Sequence, residues 1–227
     1  MKYISGIVTQ FGQIVADAEQ IIADSIADNR IPGEPSITDR FLQELESSIN
    51  RINQVRGIQF SGITLSSLGP NADESIVGAD FLAVLNIQIP GMSVSKGFLC
   101  QAKRSGRGFY INMKTRRNIG VGFSNRTEFL HLRQQVEKML IISPDSFVCI
   151  YSNKGFAFIP ALSVHGLLYG HDSNEVYAKN TRLFFSEFMM CFIGDRQLSA
   201  ANRSQLSQLA EETRSRYALL LNVKSLS

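Results

Sequence analysis

Asp80, Gln101 and Lys103 are the residues of this chain whose types and spacing could do chemistry. They stand at the ends of two neighbouring apolar runs, "GADFLAVLNIQI" and "KGFLCQAKR", where a chain that needed only a core would continue with aliphatic side chains. Residues two apart on a strand share a face. Gln101 and Lys103 therefore point the same way, while Cys100 and Ala102 point into the opposite layer. "IPGM" between the runs is a turn, which makes the two strands an antiparallel hairpin and brings Asp80 beside Gln101. A carboxylate oxygen from Asp80, an amide oxygen from Gln101 and the Ala102 carbonyl would form a set of hard ligands. Such a set suits Mg²⁺, which keeps several waters and needs few ligands from a protein. The ion would acidify a water and offset charge on a phosphate. Lys103 would hold the attacking water or stabilise the negative charge that develops. The competing reading is structural: polar strand ends that meet water or pair with one another.

The elements that must position this trio follow from hydropathy periods. Ile7, Phe11, Ile14, Ala18, Ile21 and Ile26 recur at helical spacing and predict an amphipathic helix that packs on the domain or on a second copy. "NRIPGEPS" breaks it. A second helix is expected from about Ser36, with Asp39 in a capping box and Phe41, Leu42, Leu45, Ile49 and Ile52 on its apolar face. "GIQFSGITLSSL" alternates as a strand ahead of the hairpin. "RTEFLHLRQQVEKMLII" is helical, and "SFVCIYS" and "GFAFIP" are short strands around "NKG". "RLFFSEFMMCFIGD" is a buried helix or strand, and Ser199 to Val223 is expected to be another amphipathic helix. This order predicts an α/β fold, a mixed central sheet flanked by helices, with amphipathic helices at both ends. Residues 1–30 read as a helical extension, 31–160 as the core, and 161–227 as a mainly helical remainder of the same domain.

Asp80, followed about twenty residues later by Gln101-Ala102-Lys103, resembles the PD-(D/E)XK, or restriction-endonuclease-like, nuclease superfamily. More closely it is similar to the branch in which QxK replaces (D/E)xK, as in Mrr-like restriction enzymes and prokaryotic antiphage effectors. The resemblance covers Glu34 to Tyr151. It implies a restriction-endonuclease-like core of helix, three antiparallel strands, helix and strand. It also implies hydrolysis of DNA phosphodiester bonds, with double-stranded DNA favoured, by Asp80, Gln101 and Lys103 and a Mg²⁺ or Mn²⁺ ion on Asp80 and Gln101. A role in restriction or antiphage defence follows from the same likeness. Such nucleases often add a glutamate near the first helix. Glu34, Asp39, Glu44 and Glu46 are available, and Glu34 in "EPSIT" fits best as a metal ligand, with Glu74 as competitor. They also place a glutamine on the helix after the lysine, and Gln135, on one face with Leu132 and Met139, suits this better than Gln134. The alternative is a catalytically inactive nuclease-fold subunit that binds DNA or serves as a scaffold in a larger defence complex.

The 227 residues are 44% hydrophobic and 19% charged, as in a globular chain, and the formal charge of +3 does not by itself imply nucleic acid. Its distribution says more. Arg104, Arg107, Lys114, Arg116 and Arg117 fall in or beside the glycine-rich stretch "SGRGFYINMKTRRNIGVGFSNR", read as a loop. They are candidates for phosphate contacts along a nucleic-acid backbone, against the plainer reading of a solvated loop. Cys100, Cys149 and Cys191 lie far apart without a CxxC pair, which argues against a disulfide framework or a zinc site. His131, His165 and His171 build no rival site, and no HExxH, Walker A, GxSxG or GxGxxG motif occurs. Without an apolar leader or a run of membrane length, a cytoplasmic protein with no membrane partner is expected. No segment reads as a target-recognition domain, so a homo-oligomer or a partner defence protein is expected, docked through the terminal helices.

Overall fold

Helical and alternating apolar periods build two cores on either side of one sheet. The computed structural model describes residues 2–31, 33–52, 54–55, 57–66, 79–106, 108–113, 119–167 and 176–226. Its helices are α1 (Lys2–Ala27), α2 (Glu34–Ile52), α3 (Arg126–Ile142), α4 (Ala161–His165), α5 (Thr181–Met189) and α6 (Arg203–Glu212). Its strands are β1 (Gln54–Val55), β2 (Ile58–Ser66), β3 (Phe81–Ile89), β4 (Met92–Arg104), β5 (Phe109–Met113), β6 (Ile119–Phe123), β7 (Ser146–Ser152), β8 (Gly155–Pro160), β9 (Val176–Asn180) and β10 (Tyr217–Ser225). They form one sheet in the order β1-β2-β10-β3-β4-β7-β8-β9-β6-β5. Two neighbouring pairs, β10–β3 and β4–β7, are parallel, and the rest are antiparallel. The chain is thus an α/β fold with a large mixed sheet flanked by helices.

Alternation along each strand sorts its residues between the two layers. One face carries Phe81, Ala83, Leu85, Phe98, Cys100, Ala102, Cys149 and Tyr151 and packs on α1, α2 and α5. The other carries Leu82, Val84, Leu99, Val148 and Ile150 and packs on α3, α4 and α6 through Leu132, Val136, Met139, Val164 and Leu206. α1 belongs to the first core, in which Ile7, Phe11, Ile14, Ala18 and Ile26 are buried. Ile21, expected on that face, is 48% exposed, and Ile22 takes its place. Lys96 of β4 crosses the same layer to cap α5. Its Nζ donates to the carbonyls of Phe188, at 2.7 Å, and Ile193, which explains a lysine only 2% exposed. Among the described residues, no helix is long and apolar enough to cross a membrane.

Four sequence expectations need correction. The stretch from Ser199 to Val223 is not one helix: α6 covers Arg203–Glu212, and Tyr217–Ser225 is β10, in the middle of the sheet. The run "ALLLNV" has no polar stripe to offer a solvent face, and burial on both sides suits a central strand. Its Asn222 is satisfied by Asn86 Nδ2 of β3 at 3.0 Å. The part after residue 160 is therefore mixed, and β10 separates β2 from β3, which an uninterrupted three-strand meander would have paired. The glycine-rich basic stretch is not simply a loop. Phe109, Ile119 and Val121 are buried, and β5 and β6 extend the sheet through β9. Finally, α2 begins at Glu34, with Pro35 in its first turn, where its missing N–H costs nothing. Asp39 accepts from Gln43 Nε2 and caps nothing, and Ile52 is 36% exposed.

One contact ties α1 to β8 at a pH-dependent cost. Glu19 Oε1 accepts the Phe156 N–H, beside Gly155, whose φ of 113° and closeness to that oxygen exclude a side chain. Burial pushes the Glu19 carboxyl from 4.5 up to about 7, against the Phe156 hydrogen bond that lowers it. Between these values the folded state holds the proton more tightly than the unfolded chain. This group's stabilisation is complete below the unfolded value, drains away as pH rises to about 7, and changes no further above. Glu19→Gln keeps the acceptor for Phe156. It should leave stability unchanged at about pH 4 and raise it by on the order of 1–3 kcal/mol at about pH 8, read from urea unfolding at both pH values.

Candidate active site at the end of the β3–β4 hairpin

The hairpin runs in register from Phe81 opposite Cys100 to Ile89 opposite Met92, closed by the turn at Gly91. Asp80 precedes β3 and is held by both neighbouring strands. Its N–H donates to the Cys100 carbonyl at 2.9 Å, and its carbonyl accepts the Tyr217 N–H of β10 at 3.1 Å. The side chain is only 4% exposed. Its Oδ2 accepts from Gln101 Nε2 at 2.6 Å and from the Ala102 N–H at 2.6 Å. Gln101 Nε2 also donates to the Ala102 carbonyl at 3.2 Å. A single amide nitrogen therefore bridges a carboxylate oxygen and a carbonyl oxygen, two of the three groups expected to hold a cation. The third, Gln101 Oε1, is buried and accepts no hydrogen bond among the described residues. An amide group that turns over exchanges donor for acceptor. With Oε1 in the place of Nε2, three oxygens face one point.

Lys103 follows Gln101 on the face that α3 covers, by the alternation that puts Leu99 in that layer and Cys100 and Ala102 in the other. It is half-buried and makes no ion pair or side-chain hydrogen bond among the described residues. The expected trio thus shares one sheet face at one end of the hairpin. Gln135 lies on α3 itself, and its Oε1 is a second buried amide oxygen that accepts no hydrogen bond among the described residues.

Glu34 reaches the same strand end from the other side of the sheet. Its Oε1 accepts the Arg104 N–H at 2.9 Å, so it anchors α2 to β4 and is not gathered with Asp80. Two residues that the sequence reading did not single out hold that corner. Thr38 Oγ1 donates to the Glu34 carbonyl at 3.1 Å and shares a hydrogen bond of 3.1 Å with the hydroxyl of fully buried Tyr151. Tyr151 in turn receives the Ser105 N–H on its carbonyl, at 2.8 Å. Burial, above all, holds the Tyr151 hydroxyl well above its ordinary value, so it stays protonated. A tyrosine closing an apolar strand was the available signal, because a buried hydroxyl needs a partner. Arg104, Ser105 and Tyr151 line a cleft of about 370 Å³ at this corner. Arg107, Lys114, Arg116 and Arg117, with Glu74 and His171, lie outside the described residues. Cys100 is core: burial, and then the Asp80 carboxylate, hold its thiol well above the ordinary range.

The donor set fits a magnesium or manganese ion. A carboxylate, an amide and a backbone carbonyl are all hard oxygens, but they bring one formal negative charge. Among the described residues, no group of three or more His, Cys, Asp or Glu gathers in one place. The residues therefore suit an ion that binds together with a phosphate and its waters better than one held alone. Comparison with family models, with curated proteins and with solved structures finds no match to this chain.

Asp80 carries structural duties that Lys103 does not. Asp80→Ala leaves the Ala102 N–H unsatisfied in a buried place, removes one of the two acceptors of the Gln101 amide, and should lower the unfolding free energy by ~2–4 kcal/mol. Asp80→Asn keeps an acceptor oxygen and should cost about half as much, and Lys103→Ala less than about 0.5 kcal/mol. Urea titrations of the three variants beside the wild type test this ranking.

Proposed function

We propose that the chain is a metal-dependent endonuclease that hydrolyses DNA phosphodiester bonds, with Mg²⁺ or Mn²⁺ on Asp80, Gln101 and the Ala102 carbonyl. The observation that supports the reading is the Gln101 amide, which lies against both Asp80 Oδ2 and the Ala102 carbonyl and whose own oxygen accepts no hydrogen bond among the described residues. When bound, the ion supplies positive charge against the phosphate oxygens and acidifies a water. Asp80 fixes the direction of the donors, because its other bond, to the Ala102 N–H, locks the carboxylate to the strand. Lys103, with an ammonium that makes no ion pair among the described residues, orients the attacking water or stabilises charge on the phosphate. Gln135 supplies a second acceptor from α3. Arg104 begins the basic stretch that, with Arg107, Lys114, Arg116 and Arg117, would follow the DNA backbone. A restriction or antiphage setting, with assembly into an oligomer or on a partner protein, is proposed from the motif's resemblance.

The second reading, a scaffold that binds DNA without cutting it, is favoured by the same hydrogen bonds, which satisfy Asp80 without any ion. Cleavage of plasmid and linear DNA decides between them. With Mg²⁺ the wild type should cut, EDTA should stop it, and Asp80→Asn and Lys103→Ala should each lose at least about a hundredfold in rate. Cutting that survives either substitution removes this site from consideration. DNA binding with no metal-dependent cutting by the wild type establishes the scaffold.

Gln101→Glu sharpens the metal assignment. It sets a second carboxylate against Asp80, which destabilises the metal-free fold by repulsion and strengthens the cation site. Mg²⁺ or Mn²⁺ should bind this variant about tenfold or more tightly than the wild type, and the ion should raise its melting temperature more. Calorimetric titration with each ion measures both.

A further inference from the structure

Away from the hairpin end, a cleft of about 510 Å³ opens where α1, the β5–β6 hairpin, β8 and the start of α5 meet. Ile111, Ile119 and Phe156 form apolar parts of its wall. Lys154, in the turn between β7 and β8, and Arg182, in the first turn of α5, stand at it as exposed cations. Neither has an ion pair among the described residues. The acid in the wall, Glu19, has its Oε1 turned to the Phe156 N–H, away from any ion pair with them. Burial pushes that carboxyl up to about 7, so near neutral pH it offsets the two cations only in part.

Ligand sites of this volume combine an apolar lining with a few convergent polar groups. Two exposed cations at one cleft, neither ion-paired among the described residues, leave a place for an acid group attached to an apolar body. We infer that the cleft between α1, β8 and α5 binds a small organic anion, its acid group on Lys154 and Arg182 and its apolar body against Ile111, which is half-buried where Ile119 and Phe156 are buried. The site shares no residue with the Asp80–Gln101–Lys103 cluster, and the inference stands whether or not the chain cleaves DNA.

The test uses the full chain and two probes of one shape. 1-Anilinonaphthalene-8-sulfonate carries a sulfonate, and N-phenyl-1-naphthylamine is its neutral counterpart. Fluorescence titration of the wild type should show saturable one-to-one binding of the sulfonate. Lys154→Gln and Arg182→Gln keep their polar ends without the charge, and each should weaken that binding by about tenfold, with a larger loss in the double variant. The neutral probe should bind all four proteins alike, and circular dichroism should confirm that the fold is kept. Inorganic phosphate should displace the sulfonate only at far higher concentration, because it lacks the apolar part. No saturable binding by the wild type, or equal sulfonate binding by the double variant, overturns the inference. So does parallel loss of the neutral probe, or displacement by phosphate at a concentration like the probe's own.

Discussion

The Asp80 carboxylate, held between two strands and holding a third group in place, is the interaction on which the rest of the corner depends. Its backbone belongs to β3's ladder with β4 and to the contact with β10, and its Oδ2 closes the end of β4 through the Ala102 N–H. A buried carboxylate is costly unless it is hydrogen-bonded, and here both bonds are short. The same bonds fix where the carboxylate points. The bonds that satisfy the buried carboxylate are therefore the same ones that orient it. Turned over, the same amide would set its oxygen, not its nitrogen, beside the Asp80 carboxylate.

A second corner, built on the opposite face, sets the level at which α2 meets the sheet. Glu34, Thr38 and Tyr151 form a chain of contacts that ends on the backbone of Arg104 and Ser105. Arg104 and Ser105 immediately follow Lys103, so α2 fixes the path of the chain as it leaves the candidate site. The glutamate that the family likeness made a candidate ligand thus acts here through the strand backbone, and among the described residues Asp80 is left as the single carboxylate of the cluster.

Much of this was legible in the residues. "RTEFLHLRQQVEKMLII" and "SFVCIYS" coincide with α3 and β7 because turn residues bound them sharply, Asn125 capping α3 and Ser143 closing it. The side on which Gln101 and Lys103 lie followed from strand alternation alone, and the meeting of Asp80 with Gln101 from a two-residue turn that leaves a hairpin no choice of direction. Atom-level orientation was beyond reach: nothing in the residue types says that Nε2 and not Oε1 faces Asp80, or that the Ala102 N–H needs the carboxylate. "ALLLNV" was misread because a short apolar run looks alike in a buried helix and a central strand. Its pairing is non-local, set by the gap between β2 and β3, and local periodicity carries no record of such a gap. The β5–β6 hairpin was hidden for a related reason: its glycines and arginines outvoted Phe109, Ile119 and Val121, whose burial comes from β9 and α3.

The interposed strand β10 also orders events in time. During translation β3 and β4 leave the ribosome long before Tyr217, so the acid, the amide and the ammonium are all present on a nascent chain whose sheet still has a gap at its centre. The Asp80 carbonyl waits for an N–H that has not yet been synthesised, and the facing edges of β2 and β3 stay bare until it is. A half-made chain thus carries the three groups and the hairpin that gathers them before the β10 contact that holds the Asp80 backbone from its other side.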